Sequence, residues 1–284
     1  KYFNRWWSFL MVDKFLIAEA GINHNGDLKT ALKLVDAAKK SGANIAKFQY
    51  WNPSRLKPGA WDNDGRREIY ENAKLDKQKI ALLKQYCAEA DVGFLVSAFN
   101  VYDAKFLKDQ GLKNIKIPSH EVANYELHKF SIENFDQVYV SLGAGKVNEI
   151  ERTLDIYNSQ PAAKYWVGMH CVSSYPVPAE KANLPRLNYL KGKVANLGYS
   201  DHTSDSITPS IAVALGATVI EKHFTIDKEL PGRDNKFALD APEFEQMVQN
   251  IRLAEAALIS HGNDPMDIES DTMENYRGRW GSNS

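Results

Sequence analysis

The chain has 284 residues, 44% of them hydrophobic and 25% charged, so it can bury a large core under a solvated surface and is not a disordered segment. A net charge of −1 excludes an electrostatic case for nucleic acid or an anionic membrane as main partner. Its two cysteines, Cys87 and Cys171, form neither a zinc spacing nor a disulfide framework, which suits a reducing cytoplasm.

In chain order, "KYFNRWWSFLMVDK" comes first, its apolar residues interrupted by Lys1, Arg5, Asp13 and Lys14. It falls short of the ~20 apolar residues of a membrane span and lacks a leader cleavage site. Residues 1–14 read as an N-terminal extension, in which residues 1–10 either lie upstream of a start at Met11 or form an aromatic arm on the surface. "FLIAEAG" (15–21) is the first strand candidate. A helix follows, with Asp27 at the N-cap, apolar Leu28, Ala31, Leu32, Leu34, Val35 and Ala38 at helical spacing, and Gly42 as its stop. Further strands are expected at 44–51, 92–99, 114–119, 137–145, 165–174, 195–203 and 218–225. The stretches at 76–93 and 241–262 are amphipathic in the helical period. The strands are near-continuous apolar runs, as in a parallel sheet covered by helices. Strand-then-helix units repeated eight times predict a single (β/α)8 TIM barrel over 15–262, with an open doubly wound sheet as the alternative. The polar tail, 263–284, is expected outside it.

In such a barrel the chemistry gathers at the C-terminal ends of the strands. Polar residues stand at each expected strand end: Glu19, Lys47 with Gln49, Ser97, Lys116 with Ser119 and Glu121, Ser141, Ser173 with Tyr175, Ser200 with His202, and His223. Packing alone does not explain charge and hydroxyl at every end, because unpaired buried charge is costly. Lys47 and Lys116 could hold a phosphate and a carboxylate on one small molecule, or form salt bridges at the mouth. His202 and His223 end neighbouring strands and could converge on Mn²⁺, Zn²⁺ or Fe²⁺, with Glu19 or Asp234 adding a carboxylate. His24 could line the mouth or brace the first loop. Cys171 and His170 are neighbours on a strand and point to opposite faces, so that pair is read as inert. His120, His128 and His261 carry no signal.

The segments "AEAGINHNGDLKTALKLVDAAKKSGANIAKFQ", "HCVSSYPVP", "LGYSDHT", "ALGATVIEKHFT" and "LPGRDNKFALDAPEF" resemble the sialic acid synthase family, the N-acetylneuraminate synthases and related nonulosonate synthases. They occur in family order from residue 15 to about 260. The resemblance implies a (β/α)8 barrel that condenses phosphoenolpyruvate with an N-acetylmannosamine-type aldehyde, with a divalent metal, usually Mn²⁺. It implies His202 and His223 as metal ligands, and Lys47, Lys116, Ser119, Ser141, Ser200 and Ser97 around phosphoenolpyruvate. Glu19, Gln49, Tyr175 and Asp234 would face the sugar or the metal, with Ser173 beside the substrates and Glu19 or Glu121 moving the proton. A homodimer is implied as well.

Departures from the family fall around the site: His120 in "PSHE" where glycine is usual, "SLGAG" at 141–145, and Arg233 and Asn235 in "GRDNK". The antifreeze-like domain that often follows the barrel is not expected here, and Arg277 or Arg279 is the candidate to replace the arginine it supplies. Competing readings are another barrel enzyme that handles phosphoenolpyruvate or an aldehyde, and a non-catalytic sugar-binding barrel.

Overall fold

The computed structural model describes residues 15–161 and 165–281; the N-terminal extension lies outside them. Eight strands, β1 Phe15–Gly21, β2 Ile45–Gln49, β3 Gly93–Ser97, β4 Asn114–Ile117, β5 Gln137–Ser141, β6 Tyr165–Cys171, β7 Asn196–Asp201 and β8 Val219–His223, close into a barrel in sequential order. All pairs are parallel, including the closing pair β1–β8. The (β/α)8 reading holds and the open sheet falls. Most expected strands overran by a few residues at their C-terminal ends, where the chain turns away from the ladder into the loops of the mouth.

The first helix, α1, Leu28–Lys40, starts where the Asp27 side chain accepts the backbone N–H groups of Lys29 and Thr30. Its Ala31, Leu34, Val35 and Ala38 are buried against the sheet. Between β2 and the next covering helix the chain makes an excursion through a short helix, α2, Arg66–Asn72, before α3, Lys77–Glu89. The remaining helices are α4 Val101–Asp109, α5 Tyr125–Asn134, α6 Val147–Asn158, α7 Arg186–Leu190, α8 Thr208–Ala214 and α9 Ala241–Ala257.

Alternation along the strands sorts the sheet into two surfaces. Outward residues such as Leu16, Ala46, Phe48, Val96, Ile115 and Val140 join the large core under the helices. Inward residues divide by height. Ile17, Ile45, Leu95, Tyr139, Val167, Met169 and Val219 fill the lower barrel as an apolar plug. Above this layer, seven strands each carry a buried polar residue inward: Glu19, Lys47, Ser97, Lys116, Ser141, Ser200 and Glu221. The site therefore rests on a packed floor. From 259 to 281 the tail is exposed throughout.

Two histidines belong to the fold. His24 is buried in the first loop, where its Nδ1 accepts the Gly26 N–H at 3.0 Å, so it braces that loop. His128 on α5 bridges Tyr157 Oη and the carbonyls of Glu121 and Val122. Burial lowers both from 6.5 to about 4. The unfolded chain therefore binds the extra protons between those values, and each neutral ring contributes stability above pH 6.5 that is lost toward pH 4, up to about 3 kcal/mol. His128→Gln is expected to destabilise the protein most near pH 7. The difference in unfolding free energy from wild type, measured by urea denaturation, should shrink as pH falls to 4; a pH-independent difference would refute the assignment.

Candidate active site

A cavity of about 690 Å³ opens at the C-terminal end of the barrel. Its floor is a network of four buried charges. Lys47 Nζ lies 2.6 Å from Glu19 Oε2, and Lys116 Nζ lies 2.8 Å from Glu221 Oε1. Glu221 also reaches Lys47 at 3.7 Å and accepts the Ser200 hydroxyl at 3.0 Å. Lys47 donates to Ser97 Oγ at 3.0 Å, and Gln49 Nε2 donates to Glu19 at 2.6 Å. Strand register explains the pairs: Glu19 sits opposite Lys47, Ser97 opposite Lys116, and Ser200 opposite Glu221.

Electrostatics inside the network are unequal. Burial pushes Glu221 up, but Lys116 and Lys47 outweigh it and hold its carboxyl well below the usual range. Burial raises Glu19 beyond what Lys47 restores, and Glu221 raises it further. Burial lowers Lys116, partly offset by Glu221; it also acts against Lys47, where Glu19 and Glu221 prevail and the ammonium is strengthened. Glu19 is thus the network's most readily protonated carboxylate.

Gly21 is required at the rim of this floor. Its φ is +53°, and an added Cβ would come within 3.2 Å of Glu19 Oε1 and 3.3 Å of Gln49 Nε2. The β1–β2 register shifts between Glu19 and Gly21. Such an irregularity re-aims a strand end, here the one that carries Glu19.

Above the floor, His202 and His223 approach with ring centroids 5.5 Å apart, and the Tyr175 ring stands 4.2 Å from His202. His202 Nδ1 lies 2.6 Å from the Val172 carbonyl, so that nitrogen carries a proton and Nε2 is the one left to face a ligand. His223 Nδ1 is buried without a hydrogen-bond partner, 3.7 Å from Asp234 Oδ2. One ring oriented by a backbone carbonyl and a second with an orphaned buried nitrogen fit a two-histidine metal site. Among the described residues no three His, Cys, Asp or Glu side chains gather around one point. Glu19, expected as a possible further ligand, is instead held by Lys47 and Gln49. Asp234 borders the cavity, with burial raising its carboxyl to about 6.

The other expected residues also gather here. Lys116, Ser119, Glu121, Ser141, Tyr175 and Ser200 line the cavity, and Ser173 meets Ser119 Oγ–Oγ at 2.6 Å. Glu121 accepts from Asn124 Nδ2 at 2.7 Å, and burial raises its carboxyl. His170 faces outward to the Ala182 carbonyl while Cys171 faces the cavity, so the two do not pair. Cys171 instead stands 3.8 Å from His202 Nδ1. Arg277 and Arg279 do not line the cavity; the arginines that do are Arg55, Arg66 and Arg233. The tail that carries Arg277 and Arg279 is exposed beyond α9 and does not reach the cavity of its own chain.

Sequence reading missed Glu221 as a site residue, although its two-residue offset from His223 put both on the inner face. It also missed the device behind the histidines. Lys222 and Asp201, each the strand neighbour of a histidine, point outward and form a buried ion pair at 2.6 Å. Lys222 Nζ also donates to Thr203 O at 2.6 Å, and Asp201 Oδ1 accepts Tyr199 Oη at 2.8 Å and the Thr203 N–H at 2.9 Å.

The fold and this arrangement define a class: barrel enzymes that act on small anionic substrates at the C-terminal mouth. The model of the NeuB family matches residues 34–263, and the chain belongs to that family. The N,N'-diacetyllegionaminic acid synthase of Legionella pneumophila is 35% identical over 270 residues, covering 90% of this chain and 76% of that protein. A pseudaminic acid synthase of Campylobacter jejuni is 34% identical over 92% of this chain and 78% of its own length. Among solved structures, the N-acetylneuraminic acid synthetase of Leptospira borgpetersenii, in complex with citrate, superposes with a TM-score of 0.83 at 32% identity. That match covers 95% of this chain and 93% of the other.

Lys222→Met would strand the carboxylate of Asp201, which is 1% exposed. The expected loss of stability is about 3–5 kcal/mol. Adding Asp201→Asn to the same chain should recover part of it. Chemical denaturation of the three proteins checks this; an unchanged midpoint for Lys222→Met would refute the role.

Proposed function

We propose that this barrel condenses phosphoenolpyruvate with an amino-sugar aldehyde of the N-acetylmannosamine type, giving a nine-carbon 2-keto sugar acid and inorganic phosphate. The observation that carries the reading is the buried pair Lys47 and Lys116 within a ring of hydroxyls, in a NeuB-family chain. Two ammonium groups and the hydroxyls of Ser97, Ser119, Ser141 and Ser200 supply donors for the phosphate and carboxylate of one small molecule. Such pre-organised donors stabilise the charge that develops on those groups without reorganising at the moment of reaction.

In the reaction, carbon 3 of phosphoenolpyruvate bonds to the aldehyde carbon, and the aldehyde oxygen takes up a proton. Water adds at carbon 2 and loses one proton, and as the resulting tetrahedral centre expels phosphate its hydroxyl passes the remaining proton to the leaving phosphate, which leaves the ketone. Glu121, at the mouth, is suited to deliver the first proton, and Glu19, in the floor beside Lys47, to accept the second. Asp234, Gln49, Tyr175 and Ser173 border the acceptor. A divalent ion on His202 and His223, manganese by the family resemblance, would polarise the aldehyde oxygen as a Lewis acid. The reading includes a cytoplasmic homodimer; no helix among the described residues is long and apolar enough to cross a membrane.

Incubation with phosphoenolpyruvate, Mn²⁺ and an acceptor sugar is expected to release phosphate and form the 2-keto acid in equal amounts. Chelation, or His202→Ala or His223→Ala, should lower the rate by at least about 100-fold, on the scale of several kcal/mol for a Lewis acid. A 2-keto product without phosphate release would point to an aldolase instead. Binding of the sugar with no product at all would favour the non-catalytic barrel.

A further inference from the structure

Asp234 reaches the cavity from a different kind of scaffold than the floor residues do. It lies on the connection 224–240 between β8 and α9, which holds no helix and no extended strand, whereas Glu19, Lys47, Lys116 and Glu221 sit on strands. A group carried by a loop is held less closely than one on a strand unless something fixes the loop. Among the described residues the Asp234 carboxyl accepts no hydrogen bond, and its Oδ2 stands 3.7 Å from His223 Nδ1. Its place is therefore set by the backbone that carries it.

That backbone is clasped at two levels. At the base the ends of the connection close on each other: Thr225 N–H donates to Leu239 O and Leu239 N–H to His223 O, both at 2.9 Å. Midway, the buried Asn235 bridges the loop. Its Oδ1 accepts the hydroxyl of the buried Thr225 at 2.6 Å, and its Nδ2 donates to Pro231 O at 2.9 Å. Pro231 offers a carbonyl there, so the amide nitrogen must face it and the amide oxygen must face Thr225. The Thr225 oxygen also accepts the Asp227 N–H at 3.2 Å, and Ala238 N–H donates to Asp234 O at 3.1 Å. The turn is wedged from outside as well. Gly232 has a φ of +123°, and an added Cβ would come within 3.2 Å of Asn25 Oδ1 and 3.3 Å of Asn235 Nδ2. A buried amide with both ends satisfied selects one geometry, and removing either partner strands the other.

We propose that Asn235 is a positioning residue: by tying Pro231 to Thr225 it holds the turn 231–235 so that the Asp234 carboxyl meets the acceptor beside His223. The proposal deepens the reading above and rests on it for the acceptor. Neither Asn235 nor Thr225 lines the cavity, so both act through the turn and not on a ligand. Lys47 and Lys116 hang from β2 and β4 and do not depend on this turn. Loss of the clasp therefore falls on the acceptor and spares phosphoenolpyruvate.

Three measurements on the full chain test this, with Asn235→Ala and the near-isosteric Thr225→Val. The first is phosphate release with Mn²⁺, phosphoenolpyruvate and either N-acetylmannosamine or a 2,4-diacetamido-2,4,6-trideoxy hexose, whichever the wild type turns over. Each variant should lose at least about tenfold in kcat/KM for the acceptor, the scale of a misplaced group, with the phosphoenolpyruvate KM within about twofold of wild type. The second adds Asn235→Ala to Asp234→Ala. It should cost less than about twofold more, because Asn235 acts through that carboxylate. The third is hydrogen exchange without substrates. The segment holding the Ala238 and Leu239 amides should open at least about tenfold faster in both variants, with the strands of the floor unchanged. Equal acceptor kcat/KM in the wild type and both variants would overturn the proposal, as would the full Asn235→Ala loss on top of Asp234→Ala. If neither sugar is turned over by the wild type, the condensation reading fails and exchange decides the clasp by itself. Faster opening in both variants then upholds it, and unchanged opening overturns it.

Discussion

The site depends on keeping four charges ionised inside a barrel. Glu19, Lys47, Lys116 and Glu221 are each at most 5% exposed. Removing such groups from water costs several kcal/mol per ion, so none is tolerable alone. Two ammoniums against two carboxylates give a neutral set, and the hydroxyls of Ser97 and Ser200 take part of the remaining hydrogen bonding. That arrangement is poor evidence of stability for its own sake, because well-packed apolar residues would fill the same ring at lower cost. It makes sense as a store of donors. An anion that lands on the ring exchanges partners with Glu19 and Glu221 and does not have to gather lysines from solvent.

Everything around the network fixes its geometry. Below it, the apolar plug from Ile17 to Val219 gives the charged residues a packed apolar support. Beside it, the irregularity at Gly21 aims Glu19 and leaves room for Gln49. Behind the two histidines, the Asp201–Lys222 pair ties β7 to β8 on the outer face, one residue from each imidazole. A histidine inward and an ion-paired residue outward, repeated on adjacent strands, set the two rings through the strands themselves. Rigid strand ends hold such a constellation more closely than loops can.

The order of strands and helices was legible because a covered parallel sheet writes near-continuous apolar runs and caps its helices with recognisable residues, as Asp27 does. The polar ring was legible for the same reason, since a strand-end lysine or serine breaks an apolar run. Glu221 was less visible, lying between an isoleucine and a lysine whose outward partner cannot be named without three dimensions. Asp201 and Lys222 are separated by about one strand–helix unit, and only the register of β7 against β8 joins them. The aromatic wall of the cavity was hidden for another reason. Trp51 and Tyr70 come from the irregular excursion after β2 and Phe99 from just beyond β3, and nothing local marks their rings as one wall. Arg233, on the loop after β8, lines the cavity of its own chain, whereas Arg277 and Arg279 on the exposed tail do not.

The central claim is that the buried lysine–carboxylate ring is an anion site for phosphoenolpyruvate. Calorimetric titration of phosphoenolpyruvate alone into the wild type and into Lys116→Met tests it most directly. The account predicts saturable one-site binding to the wild type and an affinity at least about 30-fold lower in the variant, the scale of a lost charge-assisted contact of 2 kcal/mol or more. Binding of equal affinity in the two proteins would contradict it.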